Sequence, residues 1–408
     1  MTSINPIQNK LKNIFSTRII QNLNNIFNIF SDLPKTYTDY MIHSVLKFLA
    51  CRDLKKGYLK VKCLSCKLIH TIPLSCKSKL CPTCGYKYSQ VWTQNIQKDI
   101  LNINHRHVLF TIPHECRDFF FYDRTLLSKM GSAVNEVFKY QFHNISKKSK
   151  RVNNISKYSH KYFTNSDIVH YGLITVIHTF GRDLKWNPHV HAIVSLGGFT
   201  KNFNFKKLDY FNVNTIAGQW KYHVLNIIAN GNYPNDRIKI KAKTIVNKLY
   251  AENTRLFFNI ADGDVNDTKG IIKYLGRYLA RSPIAEYKIT KITDKEVTFF
   301  FNDLKNNKEK TYRTMEINKF IQQVLIHLPP KNFKSVNRFG FYARRISNKL
   351  KEAIKIYKKK IEQPKLSFYQ RQMLDTFGVN PFVCPTCDTR MTVCEFYHYL
   401  DPYGIRYY

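Results

Sequence analysis

The stretch His178-Thr-Phe-Gly-Arg-Asp-Leu-Lys-Trp-Asn-Pro-His-Val-His-Ala-Ile-Val-Ser-Leu-Gly-Gly198 decides the fold. Its second half, His189 to Leu196, is apolar and β-branched apart from two histidines, and Gly197-Gly198 closes it, which is the pattern of a strand. Upstream, Tyr171 to Thr179 is another such run. Phe180 to Pro188 between them is turn-rich, so the spacing predicts a hairpin-type pair. Side chains alternate along a strand, so His189 and His191 point to one face while Val190 packs the other. Two neutral imidazoles that converge can hold one divalent ion. Two surface histidines are the plainer alternative, and His105-Arg-His107 has the same spacing with a charged middle residue.

Working outward, Lys269 to Ala280 reads as a helix stopped before Pro283. It carries Tyr274-Leu-Gly-Arg-Tyr278, and residues four apart on a helix share a face, so both phenols can be offered to one site. The same spacing recurs at Tyr158/Tyr162, Tyr399/Tyr403 and Tyr403/Tyr407, so context sets this pair apart: Lys273, Arg277 and Arg281 surround it with charge suited to a DNA phosphate.

The ten cysteines are clustered. Cys63-Leu-Ser-Cys66 and Cys81-Pro-Thr-Cys84 have the paired-knuckle spacing of a structural zinc ribbon, which assigns zinc to these four. Cys76 is a fifth candidate, His70 a remoter one, and Cys51 and Cys116 stand alone. Near the end, Cys384-Pro-Thr-Cys387 is followed by Cys394 and His398; these either close a second zinc site or leave a lone knuckle. In a large intracellular chain such groups bind metal more often than they form disulfides.

The 408 residues carry 65 Lys+Arg against 28 Asp+Glu, a net charge of +37, which makes a polyanion the first partner to consider. A hydrophobic content of 44% supplies real cores, so this is not a disordered basic tail. No run reaches the roughly 18 apolar residues of a membrane span, and the N-terminal stretch lacks a secretory signal. The expectation is a cytoplasmic, nucleoid-associated chain without membrane contact.

Leu11 to Phe30 and Tyr37 to about Cys51 read as helices, Tyr58 to Lys62 as a short strand, and Tyr86 to Leu101 as helix. His107 to Ile112 reads as a strand closed by Pro113. Asn144 to Ser166 reads as a basic loop, and Val297 to Phe301 with Thr311 to Thr314 as a further hairpin. The fold class is α+β, an antiparallel-sheet core with helices and a zinc module at each end. Residues 1–100 form the helical and zinc-binding module, 101–346 the core domain, and 347–408 a basic tail with a knuckle.

Taken in order, Leu49-Ala-Cys-Arg52, Ser75 to Cys84, Val108-Leu-Phe-Thr-Ile-Pro-His114, His178 to His191, Tyr274 to Tyr278 and Arg338-Phe-Gly-Phe-Tyr-Ala343 resemble the two-tyrosine HUH transposases of bacterial rolling-circle insertion sequences, the group typified by insertion sequence ninety-one. The resemblance covers most of residues 40 to 345. Cys384-Pro-Thr-Cys387 is similar to the family's terminal knuckle, whereas Cys394 and His398 fall outside its pattern. It implies an HUH nuclease core that nicks and rejoins single-stranded DNA at element ends through a 5′-phosphotyrosine intermediate. Tyr274 or Tyr278 would be the nucleophile, with a metal held by His189 and His191. Two imidazoles leave much of a divalent ion's shell open. Asp183 is the preferred third ligand and His178 the second choice. A carboxylate beside imidazoles fits Mg²⁺ or Mn²⁺ better than zinc. Two rivals stand beside this reading: a rolling-circle replication initiator with the same chemistry, and a non-catalytic zinc-ribbon regulator that binds DNA or RNA.

Overall fold

The computed structural model describes residues 10–144, 168–208, 210–252, 256, 258–260, 282–303, 307–358, 367–378 and 380–399. Helix α1 (Lys10–Phe27) runs into a short 3₁₀ turn and is followed by α2 (Lys35–Leu49). Their apolar stripes, among them Leu11, Phe15, Met41, Val45 and Phe48, are buried in one cluster. Strands β1 (Gly57–Cys63) and β2 (Ile69–Pro73) form an antiparallel pair. Helix α3 (Pro82–Asp99) starts on Cys81 as its N-cap, with Pro82 at the first helical position, where a missing N–H costs nothing.

The central sheet begins with β3 (His105–Thr111), after which come α4 (Phe119–Tyr122) and α5 (Thr125–Lys139). The hairpin foreseen in the sequence is β4 (His170–Phe180) with β5 (Trp186–Phe199), and β6 (Phe205–Lys207) pairs with β5. Helices α6 (Val213–Ala229) and α7 (Asp236–Ala251) and strand β7 (Phe258–Ile260) follow. A separate antiparallel sheet is built from β8 (Ile289–Ile292), β9 (Glu296–Asp303) and β10 (Glu309–Glu316), and α8 (Ile317–Leu325) lies against α1. Strand β11 (Val336–Gly340), helices α9 (Asn348–Lys355) and α10 (Phe368–Phe377) and strand β12 (Met391–His398) complete the described elements. The central sheet has the order β11-β4-β5-β3-β7, so β11 is an edge strand.

Alternation along the central strands sorts two layers. Val108, Phe110, Ile177, Val190, Ala192 and Val194 face a core shared with α5 and α6. On α5 the buried residues Leu126, Leu127, Met130, Val134, Val137 and Phe138 recur at helical spacing, and each large side chain contributes about 1.5–3 kcal/mol by leaving water. This makes one sheet face a rigid support. The opposite face, with Ile174, Val176 and Ile193, packs against Trp92 and Ile96 of α3 and Leu350 and Ile354 of α9. Gly340 closes β11 in the left-handed region, at φ +59, where a Cβ would sit 1.7 Å from the Tyr171 carbonyl oxygen. Only glycine fits that approach.

The α+β class and antiparallel sheets agree with the sequence reading. Cysteine clusters near both ends of the chain agree with it too, and the two ends meet. Strand β12 pairs with β1 across Gly57 to Cys63, giving a sheet of order β12-β1-β2. The C-terminal residues, read as a separate tail, therefore build one module with the N-terminal strands. Of the stretch Asn144 to Ser166, read as a basic loop, Asn144 ends a π-helical turn (Tyr140–Asn144) and the rest, like the helix at 269–280, lies outside the described residues. Among the described residues, no helix is long and apolar enough to cross a membrane.

Candidate metal centres and active site

The cysteines form two groups of four whose sulfurs could share an ion, and the groups are not those expected from spacing. Cys51, Cys76, Cys81 and Cys84 make one, all buried. Cys63, Cys66, Cys384 and Cys387 make the other, with Cys66 exposed. The correction has a simple cause. Cys63 and Cys66 sit on the β1–β2 turn, and β12 runs back along β1, bringing the Cys384–Cys387 turn against it. Cys81 and Cys84 lie at the start of α3, where α2 delivers Cys51 from its own C-terminal end. Cys394, on the outer strand β12, is exposed and joins neither group, and His398 pairs opposite Gly57.

In the buried group the Sγ–Sγ separations are 3.7 Å for Cys51–Cys84, 3.6 Å for Cys76–Cys84 and 3.8 Å for Cys81–Cys51. A tetrahedron of thiolates at the usual zinc–sulfur distance has edges of about 3.8 Å, whereas a disulfide needs about 2 Å. In the second group Cys63–Cys387 and Cys66–Cys384 are each 3.4 Å apart. Thiol hydrogen bonds from Cys76, Cys81 and Cys84 hold the Cys51 thiol below its ordinary range, while the same crowding and burial push Cys76 and Cys81 up, so the sulfurs oppose one another's ionisation. Arg52, Lys67, Lys77 and Asp388, each directly after a ligand cysteine, all adopt positive φ. These tight left-handed turns aim the sulfurs inward, at a cost of about 1–2 kcal/mol per non-glycine residue.

The third group is His178, His189 and His191, with one ring nitrogen from each within 4.8 Å of the others. Register explains it. His178 is paired across the hairpin with His189, and His191 is two residues further along β5 on the same face. His178 and His191 are 7% and 5% exposed, His189 is half-buried, and His178 lines a small cavity. Val190 is buried in the opposite core. His189 Nδ1 lies 2.7 Å from the Asn187 carbonyl oxygen; a carbonyl only accepts, so Nδ1 carries the proton and Nε2 keeps its lone pair. Burial, reinforced by the Arg117 guanidinium, pushes His189 down to about 4. Burial and the imidazoles of His178, His189 and His107 hold His191 far lower than an ordinary histidine. Both rings are therefore neutral at pH 7, which is the ligand form.

His107 belongs to the His105-Arg-His107 stretch of equal spacing, and because β3 lies beside β5 its Nε2 comes within 3.2 Å of His191 Nδ1. A metal-facing Nε2 on His191 requires the proton on Nδ1, which then donates to His107. The residue supports the cluster from the side. Its partner His105 instead lies 2.6 Å from the Tyr342 hydroxyl, away from the group.

Asp183, the expected third ligand, is not in the cluster. It sits at the tip of the β4–β5 connection, accepts the Lys185 backbone N–H at 3.3 Å and pairs with Lys185 Nζ at 3.0 Å. His178 takes the place assigned to it because pairing with His189 is built into the hairpin. The turn is held from behind by His327, whose Nε2–H donates to the Leu184 carbonyl at 2.8 Å and whose Nδ1 accepts from Thr179 Oγ1 at 3.2 Å. Burial pushes His327 down to about 3. Unfolded histidine binds its proton near 6.5, so this group contributes full stability above that pH and loses it progressively as pH falls toward 3. The expected result is a melting temperature that drops between pH 6.5 and 4, with a shallower drop in His327→Gln; pH-dependent calorimetry measures both. Tyr274, Tyr278, Lys273, Arg277 and Arg281 lie outside the described residues.

With this geometry in place, the relatives can be set beside it. A family model described as "Putative transposase" (Y2_Tnp) matches residues 172–350, from the hairpin through β11. A second, "Transposase zinc-binding domain" (Zn_Tnp_IS91), matches residues 22–112. The chain is 25% identical over 368 residues to the transposase for insertion sequence element IS801 of Pseudomonas savastanoi pv. phaseolicola, covering 86% of this chain and 83% of that protein. It is 21% identical over 307 residues to the protein named "Putative transposase y4qJ" of Sinorhizobium fredii, covering 72% of each. No solved structure matches.

Proposed function

The chain belongs to the insertion-sequence-91 type of transposases, with that type's zinc-binding domain toward its N-terminus, and from this premise we propose that it nicks and rejoins single-stranded DNA through a 5′-phosphotyrosine link. The observation that carries this reading is the cluster of His178, His189 and His191 on the sheet face opposite the helical support. Three imidazoles without a carboxylate are a donor set for a divalent transition ion, so Mn²⁺ ranks ahead of Mg²⁺. When bound, such an ion supplies a Lewis acid for the non-bridging oxygens of the scissile phosphate.

The chain's own part is positioning and nucleophilic attack. The phenolate of Tyr274 or Tyr278 forms an O–P bond, the P–O3′ bond breaks, and the departing 3′ oxygen takes up a proton as a free hydroxyl. The phosphate stays on the 5′ end of the downstream fragment, joined to the protein, and reversal rejoins the strand without ATP. Pro283 lines the same small cavity as His178, and it is five positions along the chain from Tyr278, a reach of at most about 18 Å. That tether supports Tyr278 meeting the histidines. The two cysteine groups are read as zinc sites, each with the four thiolates of a closed structural site. Similarity to transposases along most of the chain favours transposition over replication initiation or regulation.

The test uses one oligonucleotide labelled at either end and incubated with the full chain, with and without added Mn²⁺ or Mg²⁺. A 5′-phosphotyrosine predicts a labelled protein band from the 3′-labelled strand alone, dependent on metal and absent when Tyr274 and Tyr278 are both replaced by Phe. An adduct with the 5′ label, or one that survives the double replacement, overturns the assignment.

A further inference from the structure

A groove of about 670 Å³ runs between α3 and the edge strand β11, on the same sheet face as the three histidines. Its lining includes Lys77, Lys79, Lys334, Arg338 and Arg344 and no carboxylate. Arg338 is paired with Asp99, but Lys77, Lys334 and Arg344 are exposed, and no ion pair is recorded for them among the described residues. Tyr88 of α3, an exposed residue, also lines it. A second, smaller cavity of about 60 Å³ is lined by His178 and shares Lys79, Phe333 and Ser335 with the groove, so the two are adjacent.

We propose that the DNA single strand lies in this groove on its way to the histidine cluster, so that the zinc module and the catalytic sheet jointly form the strand's channel. The inference rests on the nuclease reading above and adds the surface. An unbalanced row of cations attracts a polyanion. An exposed tyrosine on the groove wall favours a single strand over a duplex, because only an unpaired base offers its face for stacking. Adjacency to the cavity lined by His178 gives the groove a direction. The location also gives a mechanical reason for packing a zinc-bound helix against the nuclease sheet: α3 begins on two ligand cysteines and is held firmly as one wall.

The experiment measures binding of a fluorescent single strand to the full chain by anisotropy over a range of salt concentrations, without added divalent ion. Lys334→Glu with Arg344→Glu should weaken binding by at least about tenfold and lower the slope of log affinity against log salt by about 1.4, at roughly 0.7 per phosphate contact. Lys79 and Lys77, close to zinc ligands, are left intact. Tyr88→Ala should cost about tenfold on the single strand and little on a duplex of the same sequence. Zinc content and melting temperature serve as the folding control, and Lys334→Arg with Arg344→Lys should restore wild-type binding. An unchanged salt slope in the charge-reversed variant, or an equal Tyr88→Ala loss on duplex, overturns the groove. The two readings fail separately. Binding that follows these expectations without any covalent adduct keeps the groove and removes the nuclease; an adduct with an unchanged slope does the reverse.

Discussion

His178→Ala should lower metal-dependent cleavage of a single strand by about a thousandfold or more, since a Lewis acid at a phosphate supplies several kcal/mol of transition-state stabilisation. Asp183→Asn should leave cleavage within about threefold, because the carboxylate holds the backbone N–H and ammonium of Lys185 and lies outside the histidine cluster. The contrast is sharp because the two residues lie five apart on one hairpin and differ only in where the register puts them. His178 pairs with His189, while Asp183 closes the turn. Single-turnover rates at saturating DNA, measured across Mn²⁺ and Mg²⁺ titrations, separate loss of metal affinity from loss of the chemical step. Mn²⁺ should support the wild-type reaction at lower concentration than Mg²⁺, as three imidazoles imply. The reverse pattern, with Asp183→Asn inactive and His178→Ala near normal, would return the third ligand to the carboxylate.

That register also marks how far the residues could be read without coordinates. The period-two spacing of His189 and His191 requires only that the segment be a strand, and the apolar run to Leu196 says so. Placing His178 requires the pairing across a connection that bulges between His178 and Phe180, and no local pattern fixes a bulge. His107 was harder still. Its neighbour His191 is 84 residues away and reaches it only because β3 and β5 are adjacent in the sheet. The cysteines fail in the same direction. Knuckles are local and were legible, but which knuckle completes which tetrahedron depends on β12 returning to β1, a contact across more than 300 residues. One local signal was available: the repeated Cys-Pro-Thr-Cys of residues 81–84 and 384–387 marks two equivalent half-sites, each needing a partner. Helix α5 was also missed, though its i, i+4 apolar spacing was open to view.

The regrouping of cysteines makes two substitutions with identical chemistry behave differently. Cys51→Ser with Cys76→Ser removes half the ligands of the buried group, whose surroundings include Phe15, Met41 and Phe48. A structural zinc site contributes about 10–16 kcal/mol of apparent binding free energy, so the N-terminal module should lose its cooperative melting transition or have it lowered by more than about 10 °C. Without metal, the left-handed Arg52 and Lys77 and the cluster of buried thiols have nothing to offset them. Cys384→Ser with Cys387→Ser acts on the outer group, where Cys66 is exposed. Zinc content should fall from two ions per chain to one, matching the two clusters, and the β12 segment should become sensitive to limited proteolysis while the inner site and the histidine centre remain intact. A chelator should likewise remove zinc in two phases, the outer ion first, since water and competing ligand reach Cys66 directly. If the Cys384/Cys387 variant retained full zinc and an unchanged digestion pattern, Cys63 and Cys66 would have to share their ion with Cys81 and Cys84, and the joining of the chain's two ends through metal would be refuted.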